Sequence, residues 1–233
     1  MNRLLILLFL FVYCCSSAPP QTIPEWEKAV QEHSEAGRTV EKLQAKVELG
    51  KLLGAAQKWD RAEKLFKEVQ TEFTQAGLVP GSPASDAAAE ATFILAENQL
   101  AFDDLAPLTG AMREQQRQLQ AALERIRTVR PAYMEIMGYK SSKWMVAALY
   151  RTGAIYMQVA TILRNSPVPS DLPHGEDVLD AYKNAIDEYV ERFESEALST
   201  WSKAVEEARK KEVDTDWSQR LEADLRKHSN HSR

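Results

Sequence analysis

From Pro24 onward, apolar residues recur at three- and four-residue intervals, and strict alternation is almost absent. That period is the signature of helices with one buried face, so the chain reads as helix after helix. Pro24 fits a first helical turn, with Thr22 or Ile23 before it and the acids of Glu25-Trp26-Glu27 at the positive helix end. Gly37 and Thr39 mark a stop and a restart, and residues 39–56 form the next helix. Asp60-x-x-Glu63 has capping-box spacing and opens a helix that runs to Gly77. Leu78-Val79-Pro80-Gly81-Ser82-Pro83 is a loop, after which Ser85 caps an alanine-rich helix ending near Pro107.

A long helix is predicted from Thr109. Met112, Leu119, Ile126 and Tyr133 repeat every seven residues, with Leu123 and Met137 beside them, a coiled-coil-like seam that Pro131 should kink. Packing against a partner helix of the same chain accounts for such a seam, and so does self-association. Gly138-Tyr139-Lys140-Ser141 interrupts the pattern. Trp144 to Leu163 is then the most apolar stretch after the N-terminus, but Arg151, Thr152, Gln158 and Thr161 make it a core helix and not a membrane span. Residues 165–173 carry three prolines in a loop. Residues 175–211 return to helix with a break expected near Glu194-Ser195-Glu196, Thr215 caps a last helix through Leu225, and residues 227–233 form a polar tail.

The N-terminus differs from this body. Met1-Asn2-Arg3 is followed by an uncharged run, Leu4 to Cys15, and then by Ser16-Ser17-Ala18-Pro19-Pro20. Twelve helical residues span roughly 18 Å, short of the ~30 Å of a bilayer core, and the basic start and small-residue exit fit a secretory signal peptide. Two processing routes fit: cleavage after Ser17 or Ala18, or acylation of a lipobox cysteine, for which Cys15 is the candidate and Cys14 the alternative. Residues 1–18 remove only Arg3 among the charged residues, which leaves 28 basic and 34 acidic side chains, a net of −6. Such a body repels a phosphate backbone on average, so nucleic acid is excluded as a first partner. With Cys14 and Cys15 the only cysteines, the body has no disulfide framework and no cysteine metal site.

Residues 43–69 (LQAKVELGKLLGAAQKWDRAEKLFKEV) contain Leu49-Gly50, Leu53, Ala62, Phe66 and Val69. This resembles the tetratricopeptide pattern, in which Gly50 and Ala62 let two helix backbones approach and Phe66 fills the hole beside them. Lys46 stands where that pattern usually has an aromatic residue, and Gly77 in place of proline closes the unit. Residues 145–157 (MVAALYRTGAIYM) give a partial echo, with Tyr150, Gly153 and Tyr156 on helical spacing. The order of segments adds to this: the 43–69 pair, then Ala87–Glu97 (AAAEATFILAE), a long charged helix, the Trp144–Tyr156 segment and Pro167-Val168-Pro169-Ser170-Asp171-Leu172. Over residues 40–220 it resembles tetratricopeptide proteins of the cell envelope in myxobacteria and related bacteria, some of which serve gliding motility. The resemblance implies an all-α solenoid of antiparallel helix pairs that binds proteins, with no catalytic residues to carry over.

Candidate chemistry is sparse. His33, His174, His228 and His231 form no metal-binding spacing, Asp103-Asp104 and Asp214/Asp216 suit helix starts, and no glycine-rich phosphate loop occurs. Arg113, Arg117, Arg125, Arg127 and Arg130 share one helix with Glu114 and Glu124 and read as a solvated face. Trp26, Trp59, Trp144, Trp201 and Trp217 read as core or helix-entry packing. The expected organisation is a signal peptide at 1–18, an N-terminal linker and helix at 19–38, a helical-repeat domain at 39–226 and a tail. The expected function is a non-enzymatic scaffold of the periplasm or cell envelope, without cofactor or metal, that binds envelope proteins and touches a membrane only through a lipid on Cys15. An accessory lipoprotein of outer-membrane assembly or secretion, and a helical enzyme or metal-binding protein, are the competing readings. A partner groove is expected along Gln44, Val47 and Lys51 in one unit and Tyr150, Ala154 and Met157 in the other, with Leu49, Gly50, Ala62, Phe66, Gly153 and Tyr156 as repeat packing.

Overall fold

Eight helices follow one another in the computed structural model, which describes residues 20–100 and 106–229, and no strand occurs among the described residues. They are α1 (Ile23–Glu35), α2 (Thr39–Ala55), α3 (Trp59–Gln75), α4 (Pro83–Leu100), α5 (Met112–Gly138), α6 (Ser142–Asn165), α7 (Glu176–Lys210) and α8 (Asp216–Ser229). The N-terminal 1–18 segment with Cys14 and Cys15, residues 101–105 with the Asp103-Asp104 pair, and His231 lie outside the described residues.

The helix ends follow from local chemistry. At α1 the Thr22 hydroxyl accepts from the Glu25 N–H, while the Glu25 carboxylate accepts from the backbone of Gln21 and Thr22 at 2.7 and 3.1 Å, a closed capping box. Those backbone donors hold the Glu25 carboxyl below its usual range, that of Gln21 contributing most. Thr215 and Ser218 exchange backbone-to-hydroxyl bonds in the same way at the start of α8. The stops of α1, α2, α3 and α7 share one device: Gly37, Gln57, Gly77 and Glu212 take φ between 53° and 65°. The next amide reaches back to His33, Leu53, Phe73 and Ala208 respectively, the Schellman turn.

Several expectations are corrected. Asp60 and Glu63 form no capping box: no side chain caps α3, and Glu63 pairs with Lys67 at 2.5 Å, because the turn through Gln57 already delivers the chain at Trp59. Ser85 lies inside α4 and ties down the preceding loop, accepting from the Gly81 N–H and donating to the Val79 carbonyl. The seven-residue repeat of α5 is real but displaced. Gln115, Ala122, Val129 and Ile136 are buried with Tyr133, Leu119 and Ile126 are half-buried, and Met112 and Leu123 are exposed. Its core-facing arc is centred between α4 and α6, which leaves the edge of the predicted seam in solvent. Pro131 lies inside α5, as the sequence places it, on an exposed position. No break occurs at 194–196: Val190, Phe193, Ala197 and Trp201 keep three- and four-residue spacing against α6, and Glu194 binds Arg164 at 2.7 Å. The last helix continues to Ser229, with the His228 ring 5.8 Å from that of Trp201.

Each helix packs on its neighbours in chain order, and α2, α4, α6 and α8 also pack on one another in that order. Connections of three residues, such as 36–38, 56–58 and 139–141, force antiparallel neighbours. The even helices therefore form one layer, and α3, α5 and α7 each bridge two of them on the other side. α1 packs on α2 through Ile23, Trp26 and Val30. Helix α6 contributes to all three apolar clusters, with Trp144, Ala147, Ala148 and Ile155 in the first, Val146 and Met157 in the second, and Val159, Ala160, Ile162 and Leu163 in the third. Packing against α4, α5, α7 and α8 makes it the central helix.

Candidate binding surface

The two predicted repeat units are built by close approach. A Cβ on Gly50 would come within 2.5 Å of the Phe66 ring, so α2 and α3 meet only because that position is bare. Leu49, Ala62 and Phe66 are all buried there. In α6, a Cβ on Gly153 would overlap the Trp201 indole. That indole is buried and donates through Nε1 to the Tyr150 carbonyl at 2.9 Å, joining α7 to α6. Tyr156 is half-buried and stacks on Phe193 with centroids 6.3 Å apart. The second helix facing α6 is therefore α7, reached across the proline-rich loop.

Polar bonds join the even helices to one another. Lys51 Nζ binds Glu90 of α4 at 3.0 Å and Glu48 of its own helix at 2.6 Å. Burial works against the charged Lys51 amine, but the bonds to Glu48 and Glu90 outweigh it and raise its pKa. Between α4 and α6, Glu97 and Arg151 form a two-point pair, both contacts 2.7 Å, and the Tyr133 hydroxyl donates to Glu97. Burial, then the neighbouring Glu97 charge, pushes the Tyr133 phenol well above its usual range. Between α6 and α8, the Tyr150 hydroxyl donates to Asp224 at 2.8 Å, and burial followed by that bond pushes its pKa up to about 12. Lys46 occupies the atypical position in α2: it is buried and bridges Glu68 at 2.5 Å and Glu72 at 2.6 Å of α3. Those two bonds outweigh the burial cost and keep the amine charged.

The groove expected from sequence is accordingly redrawn. Val47 and Met157 are buried, 1% and 7% exposed, and belong to the interior: Val47 joins the first apolar cluster and Met157 the second. Tyr150 stacks on Trp201 and binds Asp224, and Ala154 is half-buried beside it, so α8 and α7 cover much of that unit. Gln44 and Lys51 remain exposed on α2. The signal that could have revealed the burial is the unit of four residues around each position: Leu43, Val47 and Gly50 share a stripe with Leu53.

A hollow of about 610 Å³ opens where the starts of α4, α6 and α8 converge, lined by Ser82, Asp86, Lys140, Ser141, Lys143 and Thr215 among others. Its buried hydroxyl, Ser141, is committed to Asp86 at 2.5 Å and to the Trp144 amide. No group of three metal-ligating side chains converges among the described residues. What the geometry defines is an all-α chain of helical hairpins packed in sequence order, with polar bonds at each junction of the even layer. No protein-family model, no curated protein and no solved structure matches it.

Proposed function

We propose that this chain is a non-catalytic helical-repeat scaffold of the tetratricopeptide kind, exported to the bacterial cell envelope, where it binds other proteins. The observation that carries the reading is the packing order: each helix on its neighbours, with α2, α4, α6 and α8 in one layer. Stacked hairpins of this sort leave an extended side of the inner layer open along its length, a surface suited to a protein partner. Support for the repeat type comes from the Gly50–Phe66 approach at the positions that the repeat pattern reserves for it. Support for the address comes from the basic start, short apolar run and small-residue exit of residues 1–18, with Cys15 as the site of an acyl tether. A role in a motility or other envelope complex follows from the resemblance over residues 40–220.

Three measurements test this. Fractionated cells should hold the full chain in the envelope and a chain lacking residues 2–18 in the cytoplasm, and a fatty-acid analogue should label the wild type but not Cys15→Ala. A photo-crosslinker at Gln44 should capture envelope proteins that the same probe at Lys64, on the outer side of α3, does not. A cytoplasmic full chain overturns the address. Equal capture from both positions overturns the use of the even-helix face.

A further inference from the structure

The outer layer carries a second surface. Of the eight large apolar side chains exposed among the described residues, five lie on α5 and α7: Met112, Leu123, Met134, Val178 and Tyr189. Leu123 and Met134 are eleven residues apart, as are Val178 and Tyr189. Eleven residues is about three helical turns, so each pair shares one helix face at a separation of roughly 16 Å. The two helices flank the second half of α6, since Leu119 and Ile126 of α5 and Ile186, Val190 and Phe193 of α7 enclose one cluster with Val159, Ile162 and Leu163. Helix α8 packs on the other part of α7, through Arg209 and Glu222 and beside Trp201, and leaves residues 176–196 uncovered.

Charge distinguishes the two walls. Helix α5 has five arginines and three glutamates, and Arg113, Arg117, Arg127 and Arg130 are exposed. Arg113 and Arg130 make no ion pair among the described residues. Residues 176–196 of α7 carry eight acids against two basic side chains, a net of −6, and nearly all are exposed. Both helices are odd-numbered members of an antiparallel series and so run in the same direction. A two-fold axis lying between the copies and parallel to the helices would set α5 of one copy parallel on α7 of the other, twice, with basic residues opposite acidic ones and matched apolar spacings between. The 27 residues of α5 span about 40 Å, and two helices side by side about 20 Å, so the face offers roughly 800 Å² per copy, the size of an ordinary stable interface.

We infer that the α5–α7 face is a self-complementary surface on which a second copy of this chain docks through paired basic and acidic helices. It is a different face from the one assigned to envelope partners, so either can fail alone. The test is sedimentation equilibrium of the purified protein, with circular dichroism verifying that each variant keeps its helices. Wild type should be a dimer that weakens with added salt. Arg127→Glu/Arg130→Glu and Glu188→Lys/Glu191→Lys should each weaken dimerisation on the order of a hundredfold by placing like charges opposite one another. A mixture of the two variants should regain the dimer, because each reversed wall then meets its complement. A monomeric wild type, or a dimer indifferent to both reversals, overturns the inference, as does failure of the folded variants to recombine.

Discussion

Single residues decide how closely the helices meet and where they stop. Gly153 faces the Trp201 indole with no room for a methyl group. Gly153→Ala should therefore cost about 1–3 kcal/mol through displacement of a buried ring, measured by urea unfolding followed by tryptophan fluorescence. Gln57 is the opposite case. Its φ of 58° places a side chain in the left-handed region, where an L-residue is strained by about 1 kcal/mol. Gln57→Gly should raise stability by roughly 0.5 kcal/mol in the same assay, the unfolded chain's added freedom offsetting part of the relief. The pair separates two causes that sequence does not tell apart: glycine required by a neighbour, and a turn that tolerates its absence.

At the scale of elements, the helices are fastened by groups whose titration has a defined sign. Burial, then the bond to Asp224, raises the Tyr150 phenol to about 12, and burial raises those of Tyr133 and Tyr139 as well. A phenol that holds its proton more tightly folded than unfolded contributes stability fully below its unfolded value near 10, and that contribution fades as pH rises toward the folded value. Thermal melts should consequently fall between about pH 10 and 12, and Tyr150→Phe should fall less steeply while starting lower at pH 8, since Asp224 has lost its donor. Equal slopes for the two proteins would mean that folding does not raise the Tyr150 phenol. The long helix α7 makes the complementary point about apolar contacts: acidic Glu194-Ser195-Glu196 looks like a breaking point, yet the buried stripe on its α6 side carries the helix across without interruption.

For the molecule as a whole, packing by neighbour implies that damage stays local. Removal of residues 212–233 takes away Leu221 and Trp217 and strips cover from Tyr150 and Trp201. Amide exchange should accelerate most in α7 and α6, less in α4, which Trp217 reaches through Phe93, and least in α2 and α3. The total loss should be about 3 kcal/mol or more, from apolar surface returned to water. Uniform acceleration along the chain would reveal a single cooperative unit instead of a graded stack.

Much of this molecule was legible in one dimension. The helical period, the stops at Gly37 and Gly77, the Thr22 and Thr215 starts, the proline-rich loop and the central place of Trp144–Leu163 are local or compositional properties, and local chemistry suffices to read them. The close approach at Gly50 was legible too, because a bare position between large apolar ones has few other uses in a helix. Tertiary structure alone decided which arc of a helix faces inward. Val47 and Met157 satisfy the spacing of a surface stripe as well as of a core stripe, and a period of 3.6 leaves the orientation of the wheel open until neighbours on two sides are in place. The same holds for α5, whose seven-residue repeat was evident while its register was not, since α4 and α6 together choose the buried edge. Pairing across distance was equally out of reach. Lys46 with Glu68 and Glu72, Arg151 with Glu97, and Tyr150 with Asp224 join residues 22 to 74 positions apart, and only the folded chain brings those charges together.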